Sequence, residues 1–400
     1  MRATLHSTPL FATVLFISGL MISLTGCNEL STGAEPHDPI QELVISKKFD
    51  QDQMIWVGDI IDLTVQAITS NGLSINIHQA DWDIDNEEVA SISQNGQFHA
   101  KKSGTVTVTA SLDSFTGSLQ LDILTYDLIF DTNSDGINRL FSISMNNSEE
   151  PELLFDPGIQ VSQATISPDE RYIVYASPGG SNFSDIYLYE MDTETNRHLT
   201  NDSKIEDMPA WSPDSRNIAY RSFQDQGIGN IFVLNLDTDQ ITNLTPDSTS
   251  SQTEVRKPSW SPDGNRIVYS SNTNGSMNLW IMNADGSSKQ QITDSDFYTT
   301  DPVWSPDGEK IAFRRSYQGG SDILILNLAD MTETRIEQPG YQQSPSWSPD
   351  GRWIAFSSQV SLEDQTEIFV IRHNGTDQRL ITSNPSWGGG MNPSFMIRRD

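Results

Sequence analysis

From residue 126 onward, apolar positions come in short β-rich runs bounded by Gly, Pro, Asp and Asn. One stretch shows the order. Pro258-Ser259-Trp260 precedes the turn Ser261-Pro262-Asp263-Gly264, and the runs Ile267-Val268-Tyr269 and Leu279-Trp280-Ile281-Met282 follow. A polar turn, Asn283-Ala284-Asp285-Gly286, then leads to a short end at Gln291-Ile292-Thr293. Brief runs punctuated in this way predict four strands joined by hairpins. The Ser-Pro-Asp-Gly segment carries its own turn chemistry. Pro presets φ, Ser and Asp bond nearby backbone N–H groups, and Gly takes the left-handed conformation that ends the turn.

The unit recurs. Ser-Pro-Asp begins at Ser167, Ser212, Ser261, Ser305 and Ser348, with successive prolines 45, 49, 44 and 43 residues apart. Four-stranded units of this period are the blades of a β-propeller. Residues 126–155 lack the turn motif but repeat the rest of a unit, through Leu128-Ile129-Phe130, Leu140-Phe141-Ser142-Ile143 and Leu153-Leu154. At the other end, Asn392-Pro393-Ser394-Phe395 matches the opening Pro-Ser-Trp. Three strands from the front and one from the back make a further blade, which closes the ring and removes its open edges. The chain is therefore expected to be all-β, with five whole blades and one split blade forming a six-bladed β-propeller over residues 126–400.

Residues 41–125 carry a different pattern. Val57-Gly58-Asp59 leads into the alternating run Ile61-Asp62-Leu63-Thr64-Val65, followed by Ala80-Asp81-Trp82 and Val89-Ala90-Ser91-Ile92. The turn Asn95-Gly96 and the run Gly104-Thr105-Val106-Thr107-Val108-Thr109-Ala110 complete it. Short alternating strands at this spacing predict a small β-sandwich, with Trp82 in its core. Residues 27–40 are polar and without period, which reads as a flexible tether. Residues 1–26 begin with Arg2, run through Leu10 to Ile17 and end at Leu24-Thr25-Gly26 before Cys27. That apolar run is too short for a permanent membrane span and reads as a secretory signal. Cys27 is the only cysteine, so neither an internal disulfide nor a multi-cysteine metal site is expected.

These motifs carry resemblances. The order Pro-x-Trp-Ser-Pro-Asp-Gly, then Ile-Ala-Phe and Asp-Ile-Tyr elements, resembles the repeat of TolB-type propellers. Trp211, Trp260, Trp304 and Trp347 occupy its Trp place, and Ile166 stands there in the first whole unit. Asp185-Ile186-Tyr187 and Glu367-Ile368-Phe369 match the later element. This resemblance spans residues 126–400 and implies a scaffold, because one fold hosts many activities. The order of Trp82, Val89-Ala90-Ser91-Ile92, Asn95-Gly96 and Gly104-Thr105-Val106 resembles the bacterial group 2 immunoglobulin-like domain, a spacer or adhesion module of envelope proteins. Leu-Thr-Gly-Cys resembles the bacterial lipoprotein cleavage box, which implies that Cys27 becomes an acylated first residue. Several acyl chains there would anchor the protein firmly, at roughly 0.8 kcal/mol per buried CH₂. Asn28, rather than Asp, after the cysteine implies passage to the outer membrane. TolB proper is a soluble periplasmic protein with an α/β domain ahead of its propeller. This chain has a lipoprotein box and a β-sandwich there, so the partners of TolB, including the peptidoglycan-associated lipoprotein, are not carried over to it.

Charge and candidate chemistry narrow the classes. The formal net charge is −30, from 54 acidic and 24 basic residues. A nucleic-acid binder shows a basic stripe, and none is present, so no nucleic-acid partner is expected. The acidity reads as a solvated surface that disfavours lying flat on anionic lipid. Asp131-Thr132-Asn133-Ser134-Asp135-Gly136 places Asp131, Asn133 and Asp135 at positions one, three and five of an oxygen-rich calcium loop. Position nine is Arg139 and position twelve is Ser142 rather than Glu, and repeat alignment puts the segment in a hairpin. A structural turn is therefore preferred, and no metal or other cofactor is expected. Only His198 and His373 among the six histidines lie in the repeats, without a second histidine or cysteine nearby in sequence, which argues against zinc. TolB-like propellers also precede the hydrolase domain of prolyl-oligopeptidase-type peptidases, but no Gly-x-Ser-x-Gly elbow follows the repeats here. The fixed register of the repeated Trp residues beside the turn argues for packing between blades rather than sugar stacking. No catalytic residue is assigned.

The turns hold a nearly constant length, whereas the connections between units, 201–208, 246–257, 294–301, 338–344 and 383–392, do not. In a propeller they share one face with the loops after each second strand, and loops carry binding residues on a rigid scaffold. That face holds Arg256 and Lys257, Phe297 and Tyr298, Tyr341, and Trp387 followed by Gly388-Gly389-Gly390. Aromatics with basic neighbours suit a protein or peptide contact, so Tyr298, Tyr341, Trp387 and Arg256 are candidate binding residues. The expectation is a non-enzymatic, lipid-anchored protein of the outer membrane, facing the periplasm or the outside. It would bind an envelope protein or peptide, with a TolB-like part in envelope assembly or integrity. A glycan binder or propeller-type polysaccharide lyase is the alternative, and a surface adhesin or spacer the third.

Overall fold

The computed structural model describes residues 39–48, 54–133, 137–145, 150–178, 183–201, 204–224, 228–246, 253–336, 340–359, 365–382 and 390–398. Cys27 with its signal segment, most of the tether, Asp135 and Trp387 lie outside the described residues, as does the side chain of Asn133. The chain divides into two units, residues 1–123 and 124–400.

The first unit follows the period-two pattern. Its strands are β1 (Ile40–Lys47), β2 (Ile55–Trp56), β3 (Ile60–Thr69), β4 (Ser74–Ile77) and β5 (Asp81–Ile84). They continue with β6 (Ala90–Ile92), β7 (Gln97–Ala100), β8 (Gly104–Leu112) and the opening of β9 (Phe115–Asn133). One sheet runs β1-β3-β7-β6 with β4 against β3, and a second pairs β8 with β5 and with β9 as far as Ile123. Alternate residues of both, among them Leu43, Val65, Phe98, Val106, Val108 and Leu121, bury one apolar layer. Trp82 is half-buried against that layer.

The second unit is a series of four-stranded antiparallel groups, the last two whole ones joined by a single parallel bridge between Ser321 and Tyr341. From Asp127 on, β9 pairs with β10 (Asn138–Ser144), and β10 with β11 (Glu152–Phe155). The next group is β12 (Ser162–Ile166), β13 (Tyr172–Pro178), β14 (Ser184–Glu190) and β15 (Thr195–His198). It is followed by β16 (Ile205–Trp211), β17 (Asn217–Gln224), β18 (Ile228–Asn235) and β19 (Ile241–Asn243). Then come β20 (Val255–Trp260), β21 (Arg266–Ser271), β22 (Asn278–Asn283) and β23 (Gln290–Gln291). The fifth set is β24 (Thr299–Trp304), β25 (Lys310–Tyr317), β26 (Gly320–Asn327) and β27 (Glu333–Ile336). The sixth is β28 (Tyr341–Trp347), β29 (Trp353–Gln359), β30 (Glu367–Arg372) and β31 (Arg379–Leu380). Finally β32 (Gly390–Arg398) returns to pair with β9, setting Ser394 opposite Ile129 and Phe395 opposite Leu128. The end of the chain thus completes the group begun by β9–β11, as the two partial repeats predict.

The first strands of the groups neighbour one another in the order β12, β16, β20, β24, β28, and β32 neighbours both β28 and β12. Local chemistry holds each group. In all five Ser-Pro-Asp turns the buried Ser Oγ donates to the Asp carboxylate at 2.5–2.6 Å. The same Oγ accepts the backbone N–H five residues on, at 2.9–3.0 Å. The fourth turn residue is left-handed throughout, as Gly264, Gly308 and Gly351, and also as Glu170 and Ser215 where glycine is missing. Near the end of four groups a buried threonine clasps the start of the third strand. Thr200, Thr245, Thr293 and Thr382 accept from the N–H of Ile186, Ile231, Leu279 and Ile368 at 2.8–3.0 Å. Gln342 does the same for Ile323. Trp211 and Trp347 are buried, and each indole N–H donates to a carbonyl of the preceding inner strand, Thr165 or Val303.

This connectivity sorts the second unit into two faces. The inner strands β12, β16, β20, β24 and β28 each run toward a Ser-Pro-Asp turn, which shares the turn face with the hairpins after the third strands, and β32 is the sixth inner strand. The opposite, connecting face gathers the links between groups and the hairpins after the second strands.

Candidate functional site

Close to the connecting face, every inner strand breaks register at one place. At each break a non-glycine residue is left-handed: Gln163 (φ 55°), Met208 (55°), Lys257 (44°), Asp301 (56°), Ser344 (52°) and Asn392 (49°). Such a conformation costs an ordinary residue about 1–2 kcal/mol, and bulges re-aim side chains. Strain of this kind persists where the surroundings fix it, often at ligand sites. Here the bulges ring a central cavity of about 290 Å³ to which all six inner strands contribute. Prolines 209, 258, 302, 345 and 393, each following a bulge residue, supply apolar wall.

Hydrogen bonds tie the bulge residues together. Met208 N–H donates to Gln163 Oε1 at 2.8 Å, and Ser344 Oγ donates to Asn392 Oδ1 at 2.9 Å. Asn392 Nδ2 in turn donates to Asp131, at 3.0 Å to one oxygen and 3.3 Å to the other. Asp131 is 3% exposed. Burial pushes its carboxyl up to about 7, while the bond from Asn392, backbone amides and the charge of Lys257 pull it back.

A second set of charges crosses three neighbouring groups. Arg221 donates to Asp207 at 2.7 Å and lies 3.8 Å from Glu254. Glu254 also accepts from Arg256, whose guanidinium lies 6.0 Å from the centre of the Tyr298 ring. Arg314 and Asp301 pair at 3.6 Å. Burial pushes the Tyr298 phenol above its usual range, and Arg256 pulls it back.

The structure therefore brings Arg256 and Tyr298 together. Tyr341 lies on the same face, 37% exposed at the first position of β28. Arg256, Lys257 and Tyr341 are strand residues rather than residues of the connections. The inner strands continue past the proline that marks the repeat, and the bulge disguises that extension. Asp131 also differs from its expected place. It is a strand residue of β9 bound to Asn392, and its strand runs on through Asn133 before the hairpin begins. Among the described residues no three His, Cys, Asp or Glu side chains group as a metal site. No described helix is long and apolar enough to cross a membrane.

Exposed apolar side chains add to this face. Phe297 and Tyr341 are the exposed aromatics among the described residues of the second unit, and both stand on the connecting face. Ile137, Ile205 and Met391, at strand beginnings there, are exposed as well. Aromatic rim, fixed charges and a polar-ringed cavity suit binding of an extended or protruding partner. Gln163, Asn392 and Asp131 escaped sequence reasoning as a cluster. A signal exists for the first two: they occupy the variable slot otherwise filled by Met208, Lys257, Asp301 and Ser344, just before proline in five of six repeats.

A model of the TolB β-propeller domain matches residues 296–398, and one of the bacterial Ig-like domain of group 2 matches residues 49–122. A model of the dipeptidyl peptidase IV N-terminal region matches residues 221–317. Among solved structures, TolB from Acinetobacter baumannii is similar at 17% identity and a TM-score of 0.59, covering 76% of this chain and 81% of that one. A putative TolB from Agrobacterium tumefaciens is similar at 18% identity and 0.54, over 69% of this chain and 98% of that one. Hydrazine synthase from Kuenenia stuttgartiensis is similar at 13% identity and 0.55, over 68% of this chain and 47% of that one. No curated protein matches by sequence. Likeness at such identities speaks to fold: an all-β chain with a TolB-like propeller and an immunoglobulin-like domain.

Proposed function

We propose that this chain is a lipid-anchored protein of the bacterial envelope, whose six-bladed TolB-like propeller binds a protein or peptide on its connecting face without catalysing a reaction. The observation that carries this reading is the gathering of exposed apolar side chains, Phe297 and Tyr341 foremost, around a ring of strained bulges on one face. Interfaces draw most of their energy from a few aromatic and Arg anchors, and Tyr298 with Arg256 supplies such a pair. Six inner strands that neighbour in a closed order support the blade count. The Leu-Thr-Gly-Cys box supports the anchor at Cys27 and a place at the outer membrane.

Alanine at Arg256, Tyr298, Tyr341 and Trp387 together is expected to release partners that co-purify with the wild type after crosslinking in cells. Retention of every partner by that variant would overturn the reading. Cys27→Ser is expected to move the protein out of the membrane fraction, and continued retention there would count against the anchor.

One observation favours glycan binding as a second reading. A depression of about 540 Å³ is lined by Asn274, Ser276, Gln291, Thr293, Asp294 and Asp296, whose amide, hydroxyl and carboxylate groups match sugar hydroxyls. Envelope oligosaccharides that bind the wild type but not Asn274→Ala would favour it over the protein-binding platform.

A further inference from the structure

We infer that the central cavity is a carboxylate-binding site with Lys257 as its fixed cation. This goes beyond the protein-binding reading and does not require it. Lys257 sits in a left-handed bulge, lines the cavity and is half-buried. Its amine has no ion-pair partner within 4.0 Å among the described residues. The neighbouring cations are already matched: Arg221 by Asp207, Arg256 by Glu254 and Arg314 by Asp301. Lys257 feels the charge of Asp131 but forms no ion pair among the described residues, which leaves a cavity-lining cation open to an incoming anion.

A second donor lines the same cavity from the inner strand β12, two strands away from β20. A backbone N–H can bond only the oxygen of an amide, so the bond from Met208 N–H to Gln163 Oε1 settles which way that side chain faces. Gln163 Nε2 is thereby left as a donor, on a residue that lines the same cavity. The walls between these donors are prolines and the edges of Trp211, Trp260 and Trp304, a surrounding that strengthens a charge interaction relative to water. At about 290 Å³ the space exceeds that of a single water many times over.

The charge count selects the class of ligand. One ammonium, with the carboxyl of Asp301 in the ring of bulges and that of Asp131 bonded to Asn392 of the ring, suits a monoanion and disfavours a phosphate dianion. A carboxylate accepts from both Lys257 and Gln163, and the apolar walls take the short carbon body behind it. The carboxylate can arrive on a free small acid or on the end of a peptide chain.

Titration calorimetry on the full chain tests this with three probes: acetate, acetyl-Gly-Gly as the free acid, and acetyl-Gly-Gly amide. At least one of the two acids is expected to bind with one-to-one stoichiometry, and the peptide amide at least tenfold more weakly than the peptide acid if the latter binds. Acetate as strong as the peptide acid would identify a free acid as the ligand, and a stronger peptide acid would identify a chain end. Lys257→Met, checked for unchanged melting, is expected to lose binding at least tenfold, with partial recovery in Lys257→Arg. Wild-type protein that binds neither acid, or binds acid and amide peptides equally, would overturn the inference without recourse to any variant.

Discussion

At the turn face, five inner strands of the second unit end in the same Ser-Pro-Asp turn, with the same serine and aspartate making the same bond. At the connecting face, six inner strands carry the same bulge, but with six different side chains: Gln163, Met208, Lys257, Asp301, Ser344 and Asn392. Both ends repeat a backbone. Only the turn end repeats its chemistry. Where side chains are constant they are spent on the backbone, because buried Ser and its Asp satisfy N–H groups that the turn would otherwise leave unpaired. Where they vary over a constant backbone, the scaffold presents a set of positions that can be tuned to a ligand without refolding. The proposed recognition at the connecting face rests on this difference.

The comparison breaks most visibly if stability and recognition are not separable. Trp347 is buried and reaches the preceding inner strand, so Trp347→Ala is expected to cost about 3–5 kcal/mol in urea denaturation. Tyr341→Ala, on an exposed side chain at the start of the same strand, should stay within about 0.5 kcal/mol of wild type. Equal losses would mean that the connecting face is part of the core.

A smaller effect is expected at the turns. Ser261→Ala removes the acceptor for Arg266 N–H and the donor to Asp263, and should cost about 1–2 kcal/mol. The bond from Ser261 is the leading cause that holds the Asp263 carboxyl down at about 2. Its titration, followed by NMR, should therefore rise toward the ordinary carboxylate range in the variant. An unchanged Asp263 would show that the turn does not depend on its serine.

Asp131 carries the contrast into pH dependence. Its folded-state carboxyl titrates at about 7, above the unfolded value near 3.9, so the native state holds the extra proton between them. Its contribution to stability is therefore fully present below about pH 4 and is lost as pH rises toward 7. Asp131→Asn should be less sensitive to pH across that window than wild type in parallel urea titrations. Identical pH dependence would mean that the burial of Asp131 is not felt by the fold.

The strands and turns were legible in the sequence because their causes are local. Pro262 and Gly264 set dihedral angles by themselves, and Ser261 and Asp263 bond within five residues. The bulges were not legible, because Met208, Lys257 and Gln163 have no intrinsic preference for left-handed backbone. Packing around the cavity imposes it. The bond between Asn392 and Asp131 joins residues 261 apart, and it exists only once β32 returns to β9. Asp131 was visible as a residue of interest, but sequence spacing linked it to Asn133 and Asp135 rather than to Asn392. Arg256 and Tyr298 were found singly from the composition of the connections, while their pairing depends on adjacent inner strands.

Photo-crosslinking in cells decides whether recognition lies on the connecting face. A photoreactive residue would be placed at Phe297 or Tyr341 on that face, and at Asp285 or Asp330 in the exposed hairpins of the turn face. Crosslinked protein partners from the first pair and none from the second is the predicted result. Partners captured from Asp285 or Asp330 while Phe297 and Tyr341 capture none would place recognition on the turn face instead.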